Sequence, residues 1–128
     1  MNNKILVVDD DPDLRECLAE SLELQGYAVC SAASVKEAVE RLDFADDVRL
    51  IISDHVMRDG SGMELLIHVR SLREKQIPFI LITGQSHLTS SEAFQLGAQE
   101  FIIKPFDFIL LLTKIEHHLG EPAPHRAV

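Results

Sequence analysis

The sequence predicts an α/β protein, a doubly wound parallel sheet with helices on both faces. Short runs rich in Val, Ile and Leu recur five times along the chain. Segments with helical apolar spacing separate them in strict alternation. The 128 residues suffice for one domain with a real core and leave no room for two. Strands that alternate strictly with helices pair in parallel, and the helices cover both sheet faces.

The first strand is KILVVD, residues 4–9. DLRECLAESLELQG (13–26) follows as a helix, with Leu14, Leu18 and Leu22 recurring every four residues, Pro12 suited to a first turn and Gly26 to a C-terminal cap. YAVCSA (27–32) is the second strand. SVKEAVERL (34–42) opens with Ser34 and Glu37 at capping-box spacing, which starts the second helix. VRLIISD (48–54) is the third strand, and the Asp- and Gly-rich turn after it leads to GMELLIHVRSLRE (62–74), a helix with Leu65, Leu66 and Val69 on one side. PFILIT (78–83), with Ile77 leading in, is the fourth strand and SSEAFQLGA (90–98) a shorter, more polar helix. EFIIK (100–104) is the fifth strand, and DFILLLTKIEHHL (107–119) closes as a helix. Right-handed crossovers restrict the topology, and five such units in this length fit a flavodoxin-like (βα)5 sheet of strand order 2-1-3-4-5. GEPAPHRAV (120–128) has two prolines and no periodicity, so the domain is expected over 1–119 with a linker stub or flexible tail behind it.

Composition narrows the function. Hydrophobic residues make up 46% and charged residues 26%, an ordinary balance for a soluble globular fold. A formal net charge of -9 argues against this domain gripping nucleic-acid phosphates by itself. No apolar run approaches the ~18 residues of a membrane span, and MNNKILVVDDD does not read as a signal peptide. A cytoplasmic location is expected. Cys17 and Cys30 form no CxxC pair and read as small apolar core residues. In the last helix Leu111, Leu112 and Ile115 are assigned to the core, leaving other apolar residues of the run 108–112 exposed or available to a partner.

In open parallel sheets ligands bind beyond the carboxyl ends of the strands, near the point where strand order reverses. Strand one ends in Asp9, followed by Asp10 and Asp11, and strand three ends in Asp54. The proposed order makes these strands neighbours, so Asp9, Asp10 and Asp54 share one corner. Two carboxylates ~4 Å apart repel by about 4 kcal/mol at an effective dielectric near 20, so three need a counter-charge to stay ionised. A hard divalent cation with oxygen ligands supplies it, and Mg2+ is the natural candidate. The cluster itself offers carboxylates and no Cys or His, which disfavours zinc or copper. Asp11 and Asp13 read instead as caps of the first helix. Strands four and five end in Thr83, followed by Gly84, and in Lys104, followed by Pro105. Alone, Thr83 is an ordinary strand end and Lys104 a snorkelling surface lysine; together at adjacent tips they form a phosphate-binding set.

ILVVDDD, LIISDHVMRDGSGMELL, LITG and GAQEFIIKPF, in this order and at strand ends, resemble the receiver domain of two-component response regulators, over residues 4 to about 119. The resemblance implies a phosphorylation-dependent signalling switch. Asp54 matches the phosphoacceptor, charged by a sensor histidine kinase, a phosphotransfer protein or a small phosphodonor. Asp10 matches the direct Mg2+ ligand, Asp9 the acid that holds the ion through water, and the Val56 backbone carbonyl completes the set with Asp54. Lys104 matches the lysine that pairs with a phosphoryl oxygen, and its peptide bond to Pro105 is expected to be cis. Thr83 matches the hydroxyl that moves onto the phosphate, and Phe101 the switch aromatic. The face made by the fourth helix, fifth strand and fifth helix then controls a C-terminal output domain, a partner or a dimer. Such a receiver catalyses its own phosphorylation and dephosphorylation without being an enzyme toward other substrates.

Three positions depart from the commonest family pattern. Arg58 stands where a proline usually follows the Met, which suggests a less rigid loop. Phe101 replaces the frequent tyrosine. Val56 has no polar atom to aim a hydrolytic water, which predicts slow self-dephosphorylation. Two other readings remain at this point. A haloacid-dehalogenase-like phosphatase would use Asp9 in a DxD motif as nucleophile, but Pro12 interrupts that pattern and no acidic pair follows Thr83. A receiver-like interaction domain that is never phosphorylated is disfavoured by the intact set Asp9, Asp10, Asp54, Thr83 and Lys104.

Overall fold

In the computed structural model, which describes residues 4–44, 47–72, 76–84 and 89–120, the strands bury alternate residues into two separate cores. In chain order the elements are β1 (Lys4–Val8), α1 (Pro12–Leu24), β2 (Ala28–Ala32), α2 (Val35–Phe44), β3 (Val48–Asp54), β4 (Val56–Met57), β5 (Gly60–Ser61), α3 (Gly62–Arg70), β6 (Phe79–Thr83), α4 (Ser90–Gln95), β7 (Glu100–Ile103) and α5 (Phe108–Leu119). Leu6, Val8, Ile51, Phe79 and Leu81 face one side with Leu65, Leu66 and Val69 of α3 and Ala93 of α4. Ile5, Val7, Leu50, Ile52, Ile80 and Ile82 face the other, against Leu22 of α1 and Leu111 and Ile115 of α5. Each fully buried Leu or Ile contributes roughly 1.5–3 kcal/mol of transfer free energy. The near-continuous apolar strands therefore follow from a sheet covered on both faces.

The five-stranded parallel sheet has the order β2-β1-β3-β6-β7. With the two short hairpin strands β4 and β5 set aside, this is the expected 2-1-3-4-5. Register brings the strand tips level. Val8 lies opposite Ser53, Asp54 opposite Ile82, and Thr83 opposite Ile103, so the residues that end β1, β3, β6 and β7 emerge at one edge.

Local chemistry sets the helix starts. Asp11 caps α1 by accepting from the amides of Asp13 and Leu14, and the chain leaves that helix through Gly26 at φ 104°, a left-handed turn favourable to glycine. Ser34 accepts from the Glu37 amide at 3.0 Å, but the Glu37 carboxylate reaches the Ala33 amide, so the expected capping box is only half formed. Asp59 supplies the rest, one carboxylate oxygen to the Val35 amide and the other to Lys36, both at 3.1 Å. These donors, that of Val35 first, hold the Asp59 carboxyl below its usual range.

The turn after Asp54 differs from the expected plain loop. Val56 and Met57 pair antiparallel with Ser61 and Gly60. Ser61 then caps α3 in a full capping box with Glu64. Helix α3 ends at Arg70, and residues 73–74 of the longer expected helix lie outside the described residues. The expected tail lies outside them from residue 121 on. Of the apolar row on α1, Leu22 is fully buried, Leu18 partly, and Leu14 is exposed. Cys17 on the same helix is exposed, which corrects its core reading, whereas Cys30 is half-buried and packs against the core. In α5, Leu111 and Ile115 are buried and Leu112 is half-buried as expected, while Ile109 and Leu110 are exposed. No helix among the described residues is long and apolar enough to cross a membrane.

Candidate functional site

Four strand ends converge on one corner. One carboxylate oxygen from each of Asp9, Asp10 and Asp54 lies within 4.8 Å of the other two. The Lys104 ammonium sits 3.1 Å from Asp54 Oδ1 and 3.9 Å from Asp9 Oδ2. Its peptide bond to Pro105 is cis, as expected. Thr83 is 3% exposed, and its Oγ1 has no hydrogen-bond partner among the described residues. Phe101 is half-buried against the core on the α3–α4 side. Val56 turns its side chain outward. Asp9, Asp10, Asp54, Thr83 and Lys104 thus lie at the carboxyl ends of the strands, Val56 follows in β4, and Phe101 sits opposite Leu81, two residues before Ile103 ends β7.

Position follows from neighbouring packing. Asp54 ends β3, and its backbone carbonyl accepts from the Ser53 hydroxyl at 2.8 Å. Gly62 covers that carbonyl; a Cβ there would stand 2.5 Å from it and 2.6 Å from a Leu81 methyl, so this approach requires glycine. Asp9 is 8% exposed. Its Oδ1 accepts from the Asp11 amide at 2.9 Å, and its backbone carbonyl accepts from Arg15 Nη1 at 2.8 Å. Burial pushes the Asp9 carboxyl above its usual range. The Asp11 amide opposes that, Asp54 adds to it, and Lys104 pulls back down.

The donor set is all hard oxygen, carboxylates with no sulfur or imidazole among them, which fits Mg2+ or a similar cation and not zinc or copper. The Thr83 hydroxyl, without a partner among the described residues, and the Lys104 ammonium are hydrogen-bond donors suited to an anion. Beside them a cavity of about 170 Å³ opens between α1, α5 and the sheet, with Asp9, Asp54 and Lys104 at one end and Leu18, Ile52, Ile82 and Phe106 among its walls.

A family model described as the response regulator receiver domain matches residues 5–116. The chain belongs to that family. It is 37% identical over 122 residues to the chemotaxis protein CheY1 of Helicobacter pylori, covering 91% of this chain and 97% of that one. It is 39% identical over 103 residues to the C4-dicarboxylate transport transcriptional regulatory protein DctD of Rhizobium meliloti, covering 80% of this chain but only 22% of DctD. Among solved structures, the response regulator protein TrrA of Thermotoga maritima, in complex with Mg2+-BeF, matches with a TM-score of 0.80 and 34% identity over 91% of this chain and 98% of that one. The receiver is thus a phosphorylation-dependent signalling module, and the phosphatase-like alternative is set aside.

Sequence reasoning missed three contributors at this corner. Arg15 secures the Asp9 carbonyl, Asp59 ties the loop after Asp54 to α2, and Arg58 contacts Asp10. The hairpin that holds the last two turns through Arg58 and Asp59, a pair without the Asn-Gly or Asp-Gly signature of a two-residue turn. The loss of proline at 58 drew notice, but main-chain donors carry no side-chain signature.

Proposed function

We propose that Asp54 is the phosphoacceptor of this receiver and that the corner catalyses its own modification. The carrying observation is the Asp54–Lys104 pair at 3.1 Å beside a buried, unpartnered Thr83 hydroxyl. A carboxylate oxygen of Asp54 attacks the phosphorus of a phosphohistidine or an acyl phosphate. The P–N or P–O bond breaks, and the imidazole or carboxylate leaves with the bonding electrons. Lys104 neutralises a phosphoryl oxygen and Thr83 donates a hydrogen bond to another, stabilisation that phosphoryl transfer depends on. Asp9, Asp10, Asp54 and the Val56 carbonyl would hold Mg2+, which when bound supplies positive charge against the phosphoryl oxygens.

The acyl phosphate carries ~1.5–2 negative charges. That charge draws Thr83 inward and lets Phe101 turn into the vacated space, biasing a pre-existing equilibrium at the α4–β7–α5 face. The exposed Phe94, Ile103, Ile109 and Leu110 on these elements support a role for that face in dimerisation or partner binding. The phosphodonor is a cytoplasmic histidine kinase or phosphotransfer protein, and the receiver, over 1–119, governs a C-terminal output domain or a separate partner.

Incubation with acetyl phosphate and Mg2+ tests the assignment. A base-labile phosphoryl adduct should form on the wild type and be lost in Asp54→Asn. An adduct that persists in Asp54→Asn and disappears in Asp9→Asn would overturn it. With Val56 unable to aim a water, the adduct should decay slowly, and a half-life of seconds contradicts that.

A further inference from the structure

Arg58 faces Asp10 with both of its polar groups. Its main-chain N–H donates to Asp10 Oδ2 at 2.9 Å, and its Nε lies 3.9 Å from the same oxygen. The two contacts act on a bound dication with opposite sign. A hydrogen bond to one carboxylate oxygen fixes the plane of the group and leaves the other oxygen free to ligate. Such outer-sphere partners are worth roughly 10–100-fold in metal affinity. A guanidinium beside the same carboxylate is a like charge to the incoming cation and opposes it. The Arg58 side chain is 87% exposed, so that opposition is weak and screened by salt.

The amide is held from both sides. Before it, buried Met57 anchors β4 in the core and pairs with Gly60 of β5. After it, Asp59 is tied to the start of α2 through Val35 and Lys36. The Arg58 N–H thus meets Asp10 from a backbone fixed independently of either side chain, the preorganisation that a metal ligand's partner needs.

We propose that the Arg58 main-chain N–H is a positioning donor for the metal ligand Asp10, while the Arg58 guanidinium lowers dication affinity, so that one residue sets Mg2+ binding through two opposed contacts. This rests on the reading of Asp9, Asp10 and Asp54 as a Mg2+ site. Arg58→Ala removes the guanidinium and keeps the N–H; Arg58→Pro removes both, since proline has no N–H to give. Calorimetric titration of the full chain with Mg2+ separates the contacts. At low ionic strength Arg58→Ala should bind about two-fold tighter than wild type, a gain lost near ~1 M salt. Arg58→Pro should bind about ten-fold weaker than Arg58→Ala at both salt levels.

Amide exchange gives a second measurement that needs no proline variant. In the wild type the Arg58 N–H should exchange slowly with and without Mg2+, and Asp10→Ala should release it. Equal Mg2+ affinity of the Ala and Pro variants, or an Arg58 amide that exchanges at the rate of open solvent, overturns the inference and leaves the metal site standing. If no variant and no wild type binds Mg2+, the site reading fails and the inference with it. Should Arg58→Pro fail to fold, the exchange rates decide alone.

Discussion

At the amino end of the sheet the Arg70 guanidinium donates from Nε and Nη2 to the Gly97 carbonyl at 3.1 and 2.7 Å, from Nη1 to the Ile77 carbonyl at 2.9 Å, and from Nη2 to Gln99 Oε1 at 2.8 Å. At the carboxyl end Lys104 meets two carboxylates, a third lies nearby, and the Thr83 hydroxyl has no hydrogen-bond partner among the described residues. Both ends withdraw charge from water. The first matches donors to acceptors and joins α3, the start of β6 and the turn before β7 into one unit. The second leaves acceptors in excess and a donor idle. Satisfied polar groups hold a fold together, whereas unsatisfied ones cost stability that a ligand restores. The receiver places these two states at opposite ends of the same strands.

The largest effect should come from breaking the satisfied end. Arg70→Ala leaves the Ile77 and Gly97 carbonyls without this donor, while Gln99 Oε1 keeps the Phe79 amide at 2.7 Å. Two stranded carbonyls plus lost side-chain packing should cost about 2–4 kcal/mol in urea unfolding. A loss below about 0.5 kcal/mol would mean that the network does not brace the fold and would remove the contrast.

At the unsatisfied end the sign should reverse. The Asp9 carboxyl is raised in the folded state, so between the unfolded and folded values the native protein binds more protons than the unfolded chain. Stability therefore falls as pH rises through that window, and the penalty is complete at neutral pH. Asp9→Asn, which retains an acceptor for the Asp11 amide, should stabilise the protein by about 1 kcal/mol at pH 7 with a chelator present. The gain should shrink at pH values below the ordinary carboxylate range and be offset by Mg2+ in the wild type. Thr83→Val removes the idle hydroxyl and should add up to about 1 kcal/mol in the unphosphorylated state while weakening the response to phosphorylation. A Thr83→Val variant less stable than wild type would show that the hydroxyl finds a partner in solution.

Much of this architecture is legible in the sequence, for physical reasons that differ by region. The parallel sheet announces itself because strands buried on both faces must be apolar throughout. Strand ends announce themselves because a carboxylate, hydroxyl or lysine interrupts such a run, and so Asp9, Asp54, Thr83 and Lys104 could be placed together before any coordinates. The β4–β5 hairpin was too short for a period-two pattern, although S-x-x-E at Ser61 and Glu64 spells out the capping box that follows it. Arg70 escaped because its partners are chiefly backbone carbonyls, among them one 27 residues away, and a carbonyl looks the same in every residue. Cys17 was misplaced because α1 buries a narrower stripe than its leucine spacing suggests.

The smallest expected effect lies at the same amino end, on the outer strand, where Glu100, the first residue of β7, accepts from Lys114 at 2.9 Å and pairs with His118 Nε2 at 3.0 Å, both on α5. Burial alone would raise this carboxyl, but Lys114 and then His118 hold it below its usual range. A lowered folded value means that the stability it contributes is present above the unfolded carboxyl's range and is lost as pH falls through the folded one. The group is paired like Arg70 yet open to water at its edge, with Lys114 30% exposed. Glu100→Gln should therefore cost less than about 1 kcal/mol at pH 7 and nothing once the pH lies below the folded carboxyl's range, as read by urea unfolding across pH. If it cost as much as Arg70→Ala, pairing by itself, and not withdrawal from water with every acceptor matched, would be what stabilises the amino end of the sheet.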